Sequence, residues 1–205
     1  MKPFADHFSR ISAGYAAYRP GYPEALFDAV ARAAPARRLA WDCATGTGQA
    51  AVGLAGRFQR VIATDASRRQ VRDGVPHPRV RYAATEAERS ALRTRSADLV
   101  TVAQALHWLD LEPFYAEVRR VLVPGGRVVF VDHVVAPPHT LKYVVQRVAT
   151  PFSKRFCHGC HWDRDTEQAL ASAGFTGVDV RRLRVRSMPF GPVPMLLFDG
   201  RAPGA

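Results

Sequence analysis

The sequence predicts an α/β fold, a doubly wound and mainly parallel seven-stranded sheet with an antiparallel C-terminal hairpin. Three observations carry this. Between residues 37 and 135, short apolar runs alternate strictly with helical patterns, which places parallel strands in one layer between helices. The run 97–103 has the near-continuous apolar character of a strand buried on both faces. After residue 176, two strand-like runs follow each other with only a Pro/Gly turn between them, as in a hairpin.

The elements follow in order. Residues 9–18 read as a helix that ends before Arg19-Pro20-Gly21-Tyr22-Pro23, because proline removes a donor and restricts the residue before it. Pro23 then suits the first turn of a helix over 24–34. Strands are expected at 39–43, 60–64, 80–83, 97–103 and 127–134. Helices are expected at 47–57, at 67–73 with Ser67 as N-cap, and at 112–122, stopped by Pro124-Gly125-Gly126. Leu141, Val144, Val145, Val148 and Phe152 recur at helical spacing over 139–156. A further helix over 163–173 stops at Gly174, and strands at 177–185 and 193–200 close the fold. One domain is expected, with N-terminal lid helices (1–36), a cofactor-binding core (37–135), a substrate-side insertion (136–162) and a closing helix and hairpin (163–205).

Composition narrows the function classes. A chain of 205 residues with 47% hydrophobic and 23% charged residues suits one soluble globular domain. It has no run long enough to span a bilayer and no signal-peptide core near Met1, and its three cysteines make no disulfide framework, so a cytoplasmic location is expected. The net charge is +11, but Lys2, Lys142 and Lys154 are the only lysines and the arginines are scattered along the chain. A basic run is more often a solvated face, so neither nucleic acid nor a membrane surface is the expected partner.

The chemistry concentrates in Leu39-Ala40-Trp41-Asp42-Cys43-Ala44-Thr45-Gly46-Thr47-Gly48-Gln49, followed by Val61-Ile62-Ala63-Thr64-Asp65. An apolar strand ends in an acid, turns through two glycines and opens into an alanine-rich helix; a second strand then ends in an acid. Glycines let the backbone pass close to a ligand, and the helix N-terminus offers free N–H groups. Asp65 is placed to accept the hydroxyls of a ribose. The unit therefore suits an adenosine group. Gly46-Thr47-Gly48-Gln49-Ala50-Ala51 also fits the looser dinucleotide fingerprint, and a NAD(P)-dependent oxidoreductase is the alternative. Against it, Asp42 would repel a pyrophosphate and attract an amino-acid ammonium, and the loop carries no basic residue.

On these residues the chain resembles the class I S-adenosylmethionine-dependent methyltransferases, which share a Rossmann-like sheet. The resemblance extends to Asp98-Leu99-Val100-Thr101-Val102-Ala103-Gln104-Ala105-Leu106-His107-Trp108 and to Leu122-Val123-Pro124-Gly125-Gly126. Residues 6–134, with Tyr15-Ala16-Ala17-Tyr18-Arg19-Pro20, are similar to the small-molecule group that includes trans-aconitate methyltransferase relatives. Gly159-Cys160-His161-Trp162-Asp163-Arg164-Asp165-Thr166 with Ala173-Gly174-Phe175 is more similar to the branch that methylates alkyl thiols. A departure is Ala44, where many members carry glycine. The resemblance implies S-adenosyl-L-methionine as cofactor and a small-molecule acceptor bearing a thiol, carboxylate or hydroxyl. It implies that Asp42 and the Ala44–Gly46–Gly48 backbone hold the methionine end and that Asp65 and Ala66 hold the ribose. Glu86 and Ala87 then bound the adenine, Gln104 lies beside the sulfonium, and Tyr15 and Arg19 fold over the cofactor. Arg19 alternatively pairs with a substrate carboxylate.

A sulfonium is already a strong methyl donor, so the protein must mainly align the acceptor and exclude water. The candidate bases are His107, after the fourth strand, and His133, at the end of the fifth, with Asp132 as a group that orients one of them. The opposing reading makes His107-Trp108 a packed loop anchor and gives His133 a backbone hydrogen bond. Cys157-His158-Gly159-Cys160-His161 spells a haem-attachment motif and offers soft metal ligands, but the chain lacks a matched second pair, so no metal is expected and a turn is the favoured reading. The remaining alternative is a methyltransferase-like nucleic-acid-binding protein without catalysis.

Overall fold

The computed structural model describes residues 22–133, 173–187 and 191–203; within residues 132–133, 182–187 and 191–196 the backbone alone is described. The expected helices over 9–18, 139–156 and 163–173 and the cysteine motif lie outside these residues. In chain order the elements are α1 (Glu24–Ala33), β1 (Leu39–Cys43), α2 (Gln49–Ala55), β2 (Arg60–Asp65), α3 (Arg68–Arg72), β3 (Val80–Ala84) and β4 (Ala97–Ala103). A 3-10 turn (Leu106–Trp108), α4 (Leu111–Val121), β5 (Leu122–His133), β6 (Thr176–Ser187) and β7 (Gly191–Arg201) complete the set. The sheet has seven strands in the order β3-β2-β1-β4-β5-β7-β6. Strands β1 to β5 run parallel, and β7 pairs antiparallel with both β5 and β6. The hairpin therefore enters with its second strand innermost, and β6 forms the edge.

Strand alternation sends successive side chains to the two faces, and each face has its own cover. On one face Trp41, Val100, Val102, Val128 and Phe130 meet Phe114, Tyr115 and Val118 of α4, with Phe175 and Phe198 beyond them. Phe130 stacks on Phe198 with centroids 5.5 Å apart. On the other face Ala40, Val61, Ala63, Leu99 and Val129 meet Phe27 and Val30 of α1 and Ala51 and Leu54 of α2. Gly53 lets α1 approach α2, since a Cβ there would stand 2.2 Å from the Phe27 ring.

Two details differ from the sequence reading. Strand β5 begins at Leu122 rather than after the glycines. Leu122 pairs with Ala97 and Arg127 with Leu99, so the Pro124-Gly125-Gly126 segment forms an irregularity within the strand. Gly125 takes φ 73° there, and a Cβ on Gly126 would lie 2.9 Å from the Val123 carbonyl. Helix α2 is also shorter than expected, because Gly48 at φ 90° acts as its N-cap.

Candidate active site

The C-terminal ends of the parallel strands form one edge, and the crossover between β1 and β4 marks the place where open α/β sheets bind ligands. The loop after β1 is held in a contorted path. Ala44, Gly46 and Gly48 have φ of 53°, 58° and 90°. Ala44 takes the left-handed conformation usually reserved for glycine, so the departure noted in the sequence leaves the turn geometry intact. Gln104, at the neighbouring end of β4, is also left-handed at φ 57°, and its N–H donates to the Val131 carbonyl at 2.6 Å. Two strained non-glycine residues on adjacent strand ends cost of order 1–3 kcal/mol each, and such strain collects where a ligand must be met.

The two acids have different places. Asp65 is half-buried at the end of β2. One of its oxygens accepts the Gly46 N–H at 2.9 Å and the other the Ser67 N–H at 2.8 Å. It therefore fixes both the glycine loop and the turn through Ala66 that starts α3. Space is open above Gly46, whose missing Cβ would meet only the Gln70 amide oxygen, at 4.0 Å. Asp42 lies beneath the loop and is only 1% exposed. It accepts from the Thr45 hydroxyl at 2.5 Å and from the Thr101 hydroxyl at 2.8 Å. Burial is the main influence on its carboxyl and pushes its pKa from 3.8 to about 6, against the pull of those hydroxyls and the Ala51 N–H. Its charge is enclosed and ties β1, β4 and the start of α2 together. Cys43, its neighbour, is a free buried thiol, and burial raises its pKa well above the usual value, which leaves it unreactive.

The remaining expected residues fall as follows. Thr85 follows β3 and donates its N–H to the Asp65 carbonyl at 3.0 Å, which brings the following Glu86 and Ala87 beside Asp65. Ala87 is buried at 6% against Trp41, Cys43 and Leu106. The segment behind it is pinned by Glu117, which accepts from the Ser90 N–H at 2.7 Å and the Ser90 hydroxyl at 2.6 Å. His107 is half-buried in the 3-10 turn, with its ring 5.1 Å from that of Trp108. Asp132 and His133 stand at the end of β5, opposite Leu196 and Met195 of β7. Tyr15 and Arg19 lie outside the described residues. Sequence reasoning missed Thr45, Thr101 and Tyr82. Asp42 and Thr101 are register partners on β1 and β4, and a lone acid and a lone threonine in apolar strands were the available signal. Tyr82 covers Gly48 and donates its hydroxyl to the Val75 carbonyl at 2.8 Å, and nothing local in the sequence marks it.

The methyltransferase domain family matches residues 41–130, the span from the acid-tipped first strand to the fifth. Over this span the chain is similar to the class I S-adenosylmethionine-dependent methyltransferases. A methyltransferase of Dictyostelium discoideum is 38% identical over 127 residues, covering 62% of this chain and 48% of its own length. The human thiol S-methyltransferase TMT1B is 36% identical over 78 residues, covering 37% of this chain and 32% of its own. Among solved structures, a type II methyltransferase of Anaeromyxobacter dehalogenans is 28% identical with a TM-score of 0.56, over 91% of this chain and 98% of that one. The chain spans about half the length of the first curated relatives it matches. The loop fits S-adenosyl-L-methionine. Two carboxylates, no basic side chain between residues 42 and 51, and open space over Gly46 suit a cationic donor with a ribose and oppose a pyrophosphate.

For the same site, Asp65→Ala removes the anchor of Gly46 and the acid that the resemblance assigns to the ribose. It is expected to weaken S-adenosylhomocysteine binding by about 1–3 kcal/mol in calorimetric titration. Unchanged affinity removes Asp65 from the site.

Proposed function

We propose that this chain transfers a methyl group from S-adenosylmethionine to a small-molecule thiol. The observation that carries the reading is the strained donor loop, Ala44 to Gly48, fastened to Asp65. The similarity to the rat and human thiol S-methyltransferases TMT1B supports the thiol. When bound, S-adenosylmethionine supplies an electrophilic methyl whose bond to the sulfonium sulfur breaks in line as the acceptor sulfur attacks, leaving a neutral thioether. The Ala44–Gly48 backbone and Asp65 hold the donor, with Ala66, Glu86 and Ala87 at its nucleoside end and Gln104 near the reacting sulfur. Asp42 acts by its buried charge and by holding the loop. Tyr15 and Arg19 close over the donor as a lid. The thiol proton passes to His133, with His107 and water as the alternative acceptors. Among the described residues no helix is long and apolar enough to cross a membrane.

The test is formation of S-adenosylhomocysteine with matched alkyl thiol, carboxylate and phenol acceptors. Turnover with the thiol alone supports the proposal; turnover with only a carboxylate or phenol reassigns the acceptor. His133→Ala is expected to slow turnover at least tenfold with donor affinity unchanged, and unaltered turnover gives His133 a structural role.

A further inference from the structure

Sequence order scatters the arginines, but the sheet gathers a set of them on the edge opposite the donor loop. Arg79 precedes β3, Arg60 opens β2, Arg37 precedes β1, Arg93 and Arg95 precede β4, and Arg201 ends β7. Backbone contacts fix this row. The Val61 N–H donates to the Arg79 carbonyl and the Gln59 N–H to the Arg37 carbonyl, while Arg127 pairs with Arg201. All six side chains are exposed. The acids nearby are already taken: Asp98 by Arg38, Glu117 by Arg120 and Asp199 by Arg127. Among the described residues none of the six has an acidic partner. From β3 to β7 there are five interstrand steps, so the row extends about 24 Å.

We propose that this edge binds the phosphate backbone of duplex nucleic acid without reading its sequence. Arginine forks match phosphate oxygens in a bidentate way, and a linear row suits a linear run of phosphates. Two absences among the described residues set the partner class. The exposed large hydrophobic residues there are Val75 and Val178, neither in the row. The edge thus has no aromatic platform for unstacked bases, which argues against single strands, and no apolar wedge to enter a bilayer. Since the row faces away from the donor loop, the duplex is a tether and not the methyl acceptor of the same molecule.

The experiment is fluorescence anisotropy with 20-base-pair duplexes of arbitrary sequence, one DNA and one RNA, across a salt series. Binding to either duplex is expected, with a log–log salt slope of about −3 to −5 if four or five phosphates are neutralised. The triple variant Arg60→Glu, Arg93→Glu, Arg201→Glu should lose at least 30-fold in affinity. The equally charged control Arg68→Glu, Arg72→Glu, Arg89→Glu should lose less than threefold. S-adenosylhomocysteine binding by the row variant should be unchanged, which also reports that it is folded; the triple Arg→Gln variant serves if it is not. No duplex binding at 50 mM salt overturns the proposal. So does an equal loss in the control, or row-dependent binding to vesicles containing phosphatidylserine with no duplex binding. None of these outcomes bears on the acceptor assay.

Discussion

Gly48→Ala is expected to disable donor binding and to cost the fold about 3 kcal/mol or more. Two effects add. An alanine at φ 90° is strained in its own right. Its Cβ would also fall 1.9 Å from the Tyr82 hydroxyl and 2.8 Å from the ring carbon that bears it. The tyrosine has no easy retreat, because its hydroxyl is bonded to the Val75 carbonyl and its ring also lies against Gly74, where a Cβ would be 2.8 Å away. Overpacking of this kind costs typically 1–3 kcal/mol before the backbone strain is added. A double variant separates the terms. Adding Tyr82→Ala to Gly48→Ala should restore part of the melting temperature, since the clash is gone, while the φ strain stays and donor affinity remains low. A double variant no more stable than Gly48→Ala means that Tyr82 does not enforce the glycine. A single variant that binds S-adenosylhomocysteine normally removes the loop from the donor site.

That pair shows what was and was not legible in the sequence. The glycines, the two acids and the strict strand–helix alternation were visible locally, because each reflects a short-range requirement: a left-handed turn, a strand end, a buried run. The parallel sheet and its closing hairpin followed from them. Tyr82 over Gly48 was invisible, since it depends on how β3 lies beside β2, 34 residues along the chain. Thr101 beneath Asp42 was invisible for a similar reason: only the β1–β4 register makes them partners. The arginine row is the same lesson in charge. Six residues far apart in sequence share one edge because they precede or end neighbouring strands. Residues such as Tyr15 and Arg19 rest on resemblance, and their roles remain part of the proposal.

Asp42→Asn is expected to stabilise the donor-free protein at neutral pH while weakening donor binding. The folded carboxyl, with its pKa raised to about 6 by burial, holds its proton more tightly than the unfolded one at 3.8. Between those values folding takes up a proton, so stability falls as pH rises from about 4 to about 6 and stays lower above it. A shift of about two units corresponds to a cost of about 3 kcal/mol at pH 7. Asparagine lacks the charge and so escapes this cost, but it offers one acceptor oxygen where Thr45 and Thr101 now find two. A net gain of about 1–2 kcal/mol is therefore expected at pH 7.5, read as a rise of several degrees in melting temperature, with little or no gain at pH 4. The same change removes a negative charge from behind the loop proposed to receive a cationic donor, and affinity should fall at least tenfold. A variant equally stable at both pH values shows that the buried carboxylate carries no such cost. A variant that is stabilised at pH 7.5 but binds S-adenosylhomocysteine as before shows that the charge serves neither the loop nor the donor. The expected combination, more stable and less able to bind, marks Asp42 as a charge kept in the core because the donor needs it.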